Sequence, residues 1–247
     1  MNMEAVKTAL VLAPHTDDGG FGCGGTIAKL TEMDVAVTYV AFSIAEESVP
    51  ENPPRDVCAT EVARVTKVLG IKAENLIVHR FPVRDLPDHP QEILEEMVRL
   101  NTALGPEMVF LPSSNDTHQD HQVVAEERFR AFKKTTMLGY EIPWNNLTFN
   151  TNAFVELTEE QFFSKTNALE CYISQLGRSY VTAAALNIFE RCQLPKPAVP
   201  QVARRIGKPV NQQLDNTEVP HYSLWDESRR QEVCRWADLA ERYGYRL

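Results

Sequence analysis

The 247 residues predict an α/β fold, a mostly parallel sheet with helices on both faces, and three observations carry that prediction. Short apolar runs alternate with segments of helical periodicity, as strand-helix-strand units require. The runs are apolar at nearly every position rather than every second one, the pattern of strands covered on both sides. Two of them, residues 8–13 and 108–112, each lead into a polar segment rich in His and Asp. Parallel strands point the same way, so both segments fall on one edge of the sheet, where ligands of such folds bind.

The elements follow in order. After the strand over 8–13, a helix is predicted from Gly24 through Leu30, and residues 35–42, rich in β-branched side chains, form the second strand. A long loop then passes Glu46, Glu47 and the prolines between Pro50 and Pro54, and loops of this length in compact domains are usually functional. Residues 56–69 place Val57, Val62, Val65, Val68 and Leu69 at helical spacing and stop at Gly70. The third strand spans 75–79. A polar loop over 81–89 precedes a helix opened by Pro90 and carrying Ile93, Leu94, Met97, Val98 and Leu100. Beyond the strand at 108–112 come a helix over 123–132, strands over 137–142 and 153–157, and a helix over 159–176. From Leu194 the composition turns proline-rich, and an amphipathic pattern resumes over 226–243. This divides the chain into a main domain, 1–193, and a C-terminal helical extension, 194–247, packed on or extending it.

Composition narrows the function. With 43% hydrophobic residues the chain can bury a substantial core. A formal net charge of −9 argues against a nucleic-acid partner, which needs a concentrated basic face; Lys133-Lys134 and Arg204-Arg205 are too short to make one. Cys23, Cys58, Cys171, Cys192 and Cys234 are odd in number and never in C-x-x-C spacing, which predicts reduced thiols in a cytoplasmic protein. The amino terminus lacks an apolar signal core, and no run approaches the roughly 18 apolar residues of a membrane span. An integral membrane segment is therefore not expected; self-association stays open.

The two polar segments carry the chemistry. A catalytic zinc site takes three nitrogen or oxygen ligands from the protein and leaves a position for water. His15, Asp18 and His121 can supply them, for zinc or another divalent metal. Asp17, beside a ligand but directed elsewhere, suits a general base, and His118 suits a donor to the developing oxyanion or to the leaving amine. Asp120 could hold the His118 ring in one tautomer. Taken singly these motifs are bland, since H-x-x-H at a helix start is more often a surface feature and acids are favoured at helix N-termini. Their joint placement after two buried strands is what favours a metal. His79, His89 and His221 read as structural or solvated.

A competing motif overlaps the first segment. Gly20, Gly22 and Gly25 match G-x-G-x-x-G, with Glu46 and Glu47 about 20 residues on, as in a dinucleotide-binding oxidoreductase. Against it, the glycines come some seven residues after the strand, Asp17 and Asp18 would repel a pyrophosphate, and the second segment goes unused. The glycines are better explained by tight turns and close helix packing. A serine hydrolase lacks its G-x-S-x-G elbow.

Residues 13–18 (APHTDD), the Gly22-Cys23-Gly24-Gly25-Thr26 run and His118-Gln119-Asp120-His121 together resemble the PIG-L (LmbE-like) zinc-dependent N-deacetylase family. Arg55, Glu61, the Asp85 loop and Lys165 to Gln175 extend the resemblance over roughly residues 6 to 190. It implies a Rossmann-like fold and removal of an N-acetyl group from an amino sugar or its conjugate, nucleotide-linked ones included. By the same resemblance His15, Asp18 and His121 match zinc ligands, Asp17 the base and His118 the oxyanion partner or acid. Arg55 and Asp85 match substrate contacts, and Glu46 stands in a loop expected to line the crevice. Two departures are visible: Gly19 and Gly20 replace the glutamate that follows the family's paired aspartates, and the family's closing strand has only a partial counterpart over 186–190. Those departures keep a second reading open, a non-catalytic relative that binds a sugar or serves assembly.

Overall fold

The structure, a computed structural model, describes residues 3–49, 54–146, 148–175 and 189–193. The twelve regular elements are β1 (Thr8–His15), α1 (Asp18–Glu32), β2 (Ala36–Ser43), α2 (Val57–Val68), β3 (Leu76–Val78), α3 (Pro90–Leu104), β4 (Met108–Pro112), α4 (Gln119–Ala131), β5 (Thr136–Tyr140), β6 (Ala153–Glu156), α5 (Glu159–Leu169) and β7 (Phe189–Gln193). The predicted helix over 226–243 and the boundary at 194 lie outside the described residues.

The sheet runs β3-β2-β1-β4-β5-β7-β6. Its first five strands are parallel, with Ala9 opposite Val37 on one side and Met108 on the other; β7 is antiparallel to β5 and β6. Strand order reverses between β1 and β4. In doubly wound sheets that reversal opens a crevice at the strands' carboxyl ends.

Alternation along β1 explains the layers. Ala9, Val11 and Ala13 face one core with Phe21, Ile27, Val62, Val65, Leu138 and Leu169, whereas Leu10 and Leu12 face another with Val40, Phe42, Ile93, Met97, Val109, Leu111 and Val124. Helices α1, α2 and α5 therefore cover one face, and α3 and α4 the other. No helix among the described residues is long and apolar enough to cross a membrane.

Three boundaries differ from the sequence reading, each for a local reason. Helix α1 begins at Asp18 rather than Gly24, because a first turn forms directly after β1 and a kink at Cys23 (φ −144°, ψ 26°) separates it from the helix the sequence shows. Helix α4 begins at Gln119, not residue 123, since His118 caps it through its own ring. Helix α5 ends at Leu169, and a separate turn of 3-10 helix follows over Ile173–Gln175.

Candidate metal centre

The site forms at the reversal between β1 and β4. His15 is the last residue of β1, and Asp17 stands just before α1 without a side-chain bond to it. His118 caps α4, which places Asp120 and His121 in that helix's first turn. Two segments a hundred residues apart thus meet through strands that pair side by side.

Each candidate ligand histidine is held from outside and aimed inward. The outer nitrogen of His15, Nε2, lies 2.8 Å from Asp120 Oδ2, and its inner nitrogen, Nδ1, lies 3.2 Å from Asp18 Oδ2. The outer nitrogen of His121, Nδ1, lies 2.7 Å from Asp116 Oδ2, and its Nε2 lies 3.2 Å from Asp18 Oδ2. The two inner nitrogens are 3.3 Å apart. Such carboxylate–histidine pairs are how metal sites fix ring orientation.

This triangle tests whether a metal fits. Tetrahedral ligands at about 2.0–2.1 Å from zinc are separated from one another by roughly 3.3 Å. The three observed separations, 3.2, 3.2 and 3.3 Å, match that spacing. Ligand atoms of His118 also lie within 4.8 Å of those of His15 and His121. The triangle with Asp18 is the tighter set, and the His118 Nδ1 is already engaged, accepting the Asp120 backbone N–H at 3.2 Å.

The electrostatics follow from burial and charge. Burial favours neutral rings, but Asp18 and the bonds to the flanking carboxylates outweigh it, raising His15 to about 9 and His121 to about 10. Burial opposes the charge on Asp18, yet His121 and His15 hold its carboxyl well below the usual range. Burial, then the Asp18 charge, pushes Asp17 up to about 6. His118 moves the other way: burial and the charges of His121 and His15 lower its pKa, so its ring is neutral with the proton on Nε2.

Beneath the ligands a buried hydroxyl network holds the first segment. Tyr39 and Tyr172 both donate to the Thr16 carbonyl, at 2.9 and 3.1 Å, and the Gly19 N–H donates to the Tyr39 hydroxyl at 3.1 Å. A Cβ at Gly19 would stand 2.6 Å from the Tyr39 ring, and one at Gly20 2.6 Å from the Tyr172 hydroxyl. The glycine run is thus filled from above by tyrosines and, at Gly25, by Leu157; it is no open cradle for a phosphate. That packing, rather than tight turning, explains the glycines.

Of the expected site residues, His15, Asp17, Asp18, His118, Asp120 and His121 come together. Asp120 does so in a different role: its carboxylate grips His15 rather than His118, because the second residue of α4 turns inward beneath β1, and its backbone N–H sets the His118 tautomer. The substrate candidates do not join the cluster. Glu46 pairs with Arg80, Asp85 Oδ2 lies 3.5 Å from His89 Nε2, and Arg55 is exposed in the turn before α2. His79 stacks on Phe42 and lies 3.1 Å from Glu96, a structural setting as expected. Sequence reasoning missed Asp116, whose signal was an acid two residues ahead of the H-x-x-H pair, and the tyrosines, whose signal was absent because they come from distant elements.

Comparison with known proteins agrees. Residues 10–132 match the PIG-L family model, described as GlcNAc-PI de-N-acetylase. The chain is 22% identical over 168 residues to the uncharacterized deacetylase YaiS of Escherichia coli, covering 66% of this chain and 89% of that one. It is 28% identical over 134 residues to a probable N-acetyl-alpha-D-glucosaminyl L-malate deacetylase 2 of Bacillus anthracis, covering 50% of this chain and 58% of that protein, less than two thirds of its length. The fold superposes on N,N'-diacetylchitobiose deacetylase from Pyrococcus horikoshii with a TM-score of 0.66 at 18% identity, covering 80% and 87% of the two chains. With its sheet reversal, its two His/Asp segments and this match, residues 10–132 form a PIG-L family domain.

Proposed function

We propose that the protein is a metal-dependent amide hydrolase that removes the N-acetyl group from an amino sugar or a small amino-sugar conjugate, with zinc as the ion. The observation that carries this reading is the triangle of His15 Nδ1, His121 Nε2 and Asp18 Oδ2, each pair 3.2 or 3.3 Å apart. The substrate class rests on the names of two relatives, a probable N-acetyl-alpha-D-glucosaminyl L-malate deacetylase and an N,N'-diacetylchitobiose deacetylase.

His15, Asp18 and His121 would hold the ion. When bound there, it supplies Lewis-acid polarisation of the amide carbonyl and a more acidic water. Asp17 makes no capping bond to α1, and its raised pKa of about 6 leaves a carboxylate basic enough to take a proton near neutral pH. His118 presents a neutral Nε2–H to the carbonyl oxygen as charge builds on it. A neutral imidazole is a poor acid, so the proton that Asp17 collects is the one available to the departing amine.

Removal of the ion with a chelator is expected to abolish acetate release from N-acetylamino-sugar substrates, with recovery on adding zinc. Metal-loaded protein that releases no acetate from a panel of such substrates, nucleotide-linked ones included, would overturn the reading in favour of a binding relative. Asp116→Asn keeps a partner for His121 but loses its charge, and the expected result is metal affinity about 10- to 100-fold weaker, measured by competition with a chromogenic chelator. His118→Ala should retain the ion while kcat falls by roughly 10²- to 10³-fold, the scale of one lost oxyanion donor.

Trp144 is exposed beside the second polar segment. It packs edge-on against Phe21 (5.3 Å between rings, 85°), and the next residue's carbonyl accepts two bonds from Thr117, the neighbour of His118. Aromatic faces of this kind take up the apolar side of a ring while leaving its hydroxyls wet. Trp144→Ala should raise KM several-fold and leave kcat nearly unchanged; steady-state kinetics on one N-acetyl sugar separates the two.

A further inference from the structure

We infer that Arg84 is a positioning residue whose left-handed backbone aims its N–H at the Asp120 carboxylate and, through that carboxylate, fixes the ring of His15. The inference rests on the reading of His15 as a metal ligand for one of its two measurements only.

Arg84 stands in the loop between β3 and α3 with φ of 69°, a backbone region that side-chain-bearing residues seldom enter. Its N–H donates to Asp120 Oδ2 at 2.7 Å, and the same oxygen meets His15 Nε2 at 2.8 Å. Asp120 is fully buried, and its other oxygen has no hydrogen-bond partner among the described residues. All of the direction given to that carboxylate therefore passes through one oxygen, which Arg84 and His15 share.

The surroundings hold Arg84 in this conformation from three sides. The Arg84 carbonyl accepts from Gln119 Nε2 at 3.3 Å, its guanidinium donates to Ser48 Oγ at 2.9 Å, and Leu86, two residues on, is wholly buried. A sparsely populated backbone state persists where neighbours over-determine it, and such states gather at functional sites. Here the outcome is geometric: an extended residue at this position would turn its N–H away from Asp120, and the carboxylate could rotate off the imidazole. The side chain's contact lies on the loop after β2, so the β2, β3 and β4 edges of the crevice are joined at one residue.

The test compares Arg84→Gly, which keeps the N–H and adopts positive φ freely, with Arg84→Val, which keeps the N–H but resists that backbone. Both lose the guanidinium, so any difference between them belongs to the backbone. In the metal-free protein, the His15 ring is followed by nitrogen-proton NMR. Arg84→Gly should preserve the slowly exchanging Nε2–H signal of a ring bonded to Asp120, and Arg84→Val should lose it. Zinc affinity should stay within about two-fold for Arg84→Gly and fall about 10- to 100-fold for Arg84→Val, a fall that vanishes in an Asp120→Ala background. If Arg84→Val does not fold, Arg84→Ala replaces it against the same glycine variant. Equal behaviour of the glycine and valine (or alanine) variants, or an affinity loss that adds in full to Asp120→Ala, overturns the inference. A wild-type protein that binds no divalent ion overturns the metal reading instead, and the ring signal then decides the role of Arg84 alone.

Discussion

Replacing Asp17 with asparagine is expected to lower kcat by roughly 10²- to 10⁴-fold, the range a positioned general base supplies, while metal content and KM change little. The expectation follows from three properties of one side chain. Its carboxylate is not spent on capping α1. It is absent from the 3.2 and 3.3 Å triangle, so the ligands survive its loss. Burial and the neighbouring Asp18 raise its pKa to about 6. Asparagine keeps shape and hydrogen bonding but cannot accept the proton. Metal analysis beside acetate-release kinetics checks the claim: a variant that loses its ion would reassign Asp17 to the ligand set, and one that keeps full kcat would remove it from the chemistry.

Restoring a glutamate at Gly19 should destabilise the protein by about 3 kcal/mol or more, through overpacking together with a carboxylate buried without a partner. The position lies under the Tyr39 ring, with the first side-chain carbon 2.6 Å from it and 2.7 Å from its hydroxyl. Tyr39 is fully buried and its hydroxyl bridges the Gly19 N–H and the Thr16 carbonyl, so it has no free direction in which to yield. Thermal and denaturant unfolding of Gly19→Glu measure the loss. Tyr39→Phe, which keeps the ring and removes only the bridge, should cost about 1 kcal/mol, and an equally severe effect there would shift the explanation from crowding to hydrogen bonding. The glycines at 19 and 20 thus go with tyrosine hydroxyls that support the first segment in place of an acid.

How much was legible in the sequence depends on how far each signal travels along the chain. The strands at β1 and β4 were plain because both faces are buried and nearly every residue is apolar; the meeting of His15 with His121 followed from parallel strand direction alone. Helix α4 was read four residues short, since its first turn is polar and is secured by the His118 ring rather than by apolar spacing. The partner of Asp120 was misassigned because adjacency in sequence favours His118, whereas the helix start turns that carboxylate toward β1. Arg84 and the two tyrosines act through contacts between distant segments, and nothing in a local window marks them, whereas Asp116, five residues before His121, leaves the one local trace.

The reversal of strand order between β1 and β4 has a consequence for assembly. His15 and His121 are 106 residues apart in sequence and come within reach only once Ala9 and Val11 of β1 lie in register with Met108 and Phe110 of β4. An ion held between them is a removable cross-link that closes most of the central chain into a single loop, and clips on long loops restrict the unfolded ensemble most strongly. Occupancy of the centre then reports a completed sheet as well as a competent enzyme, and metal loss releases the β1–β4 seam together with the first turns of α1 and α4, which carry Asp18 and His121.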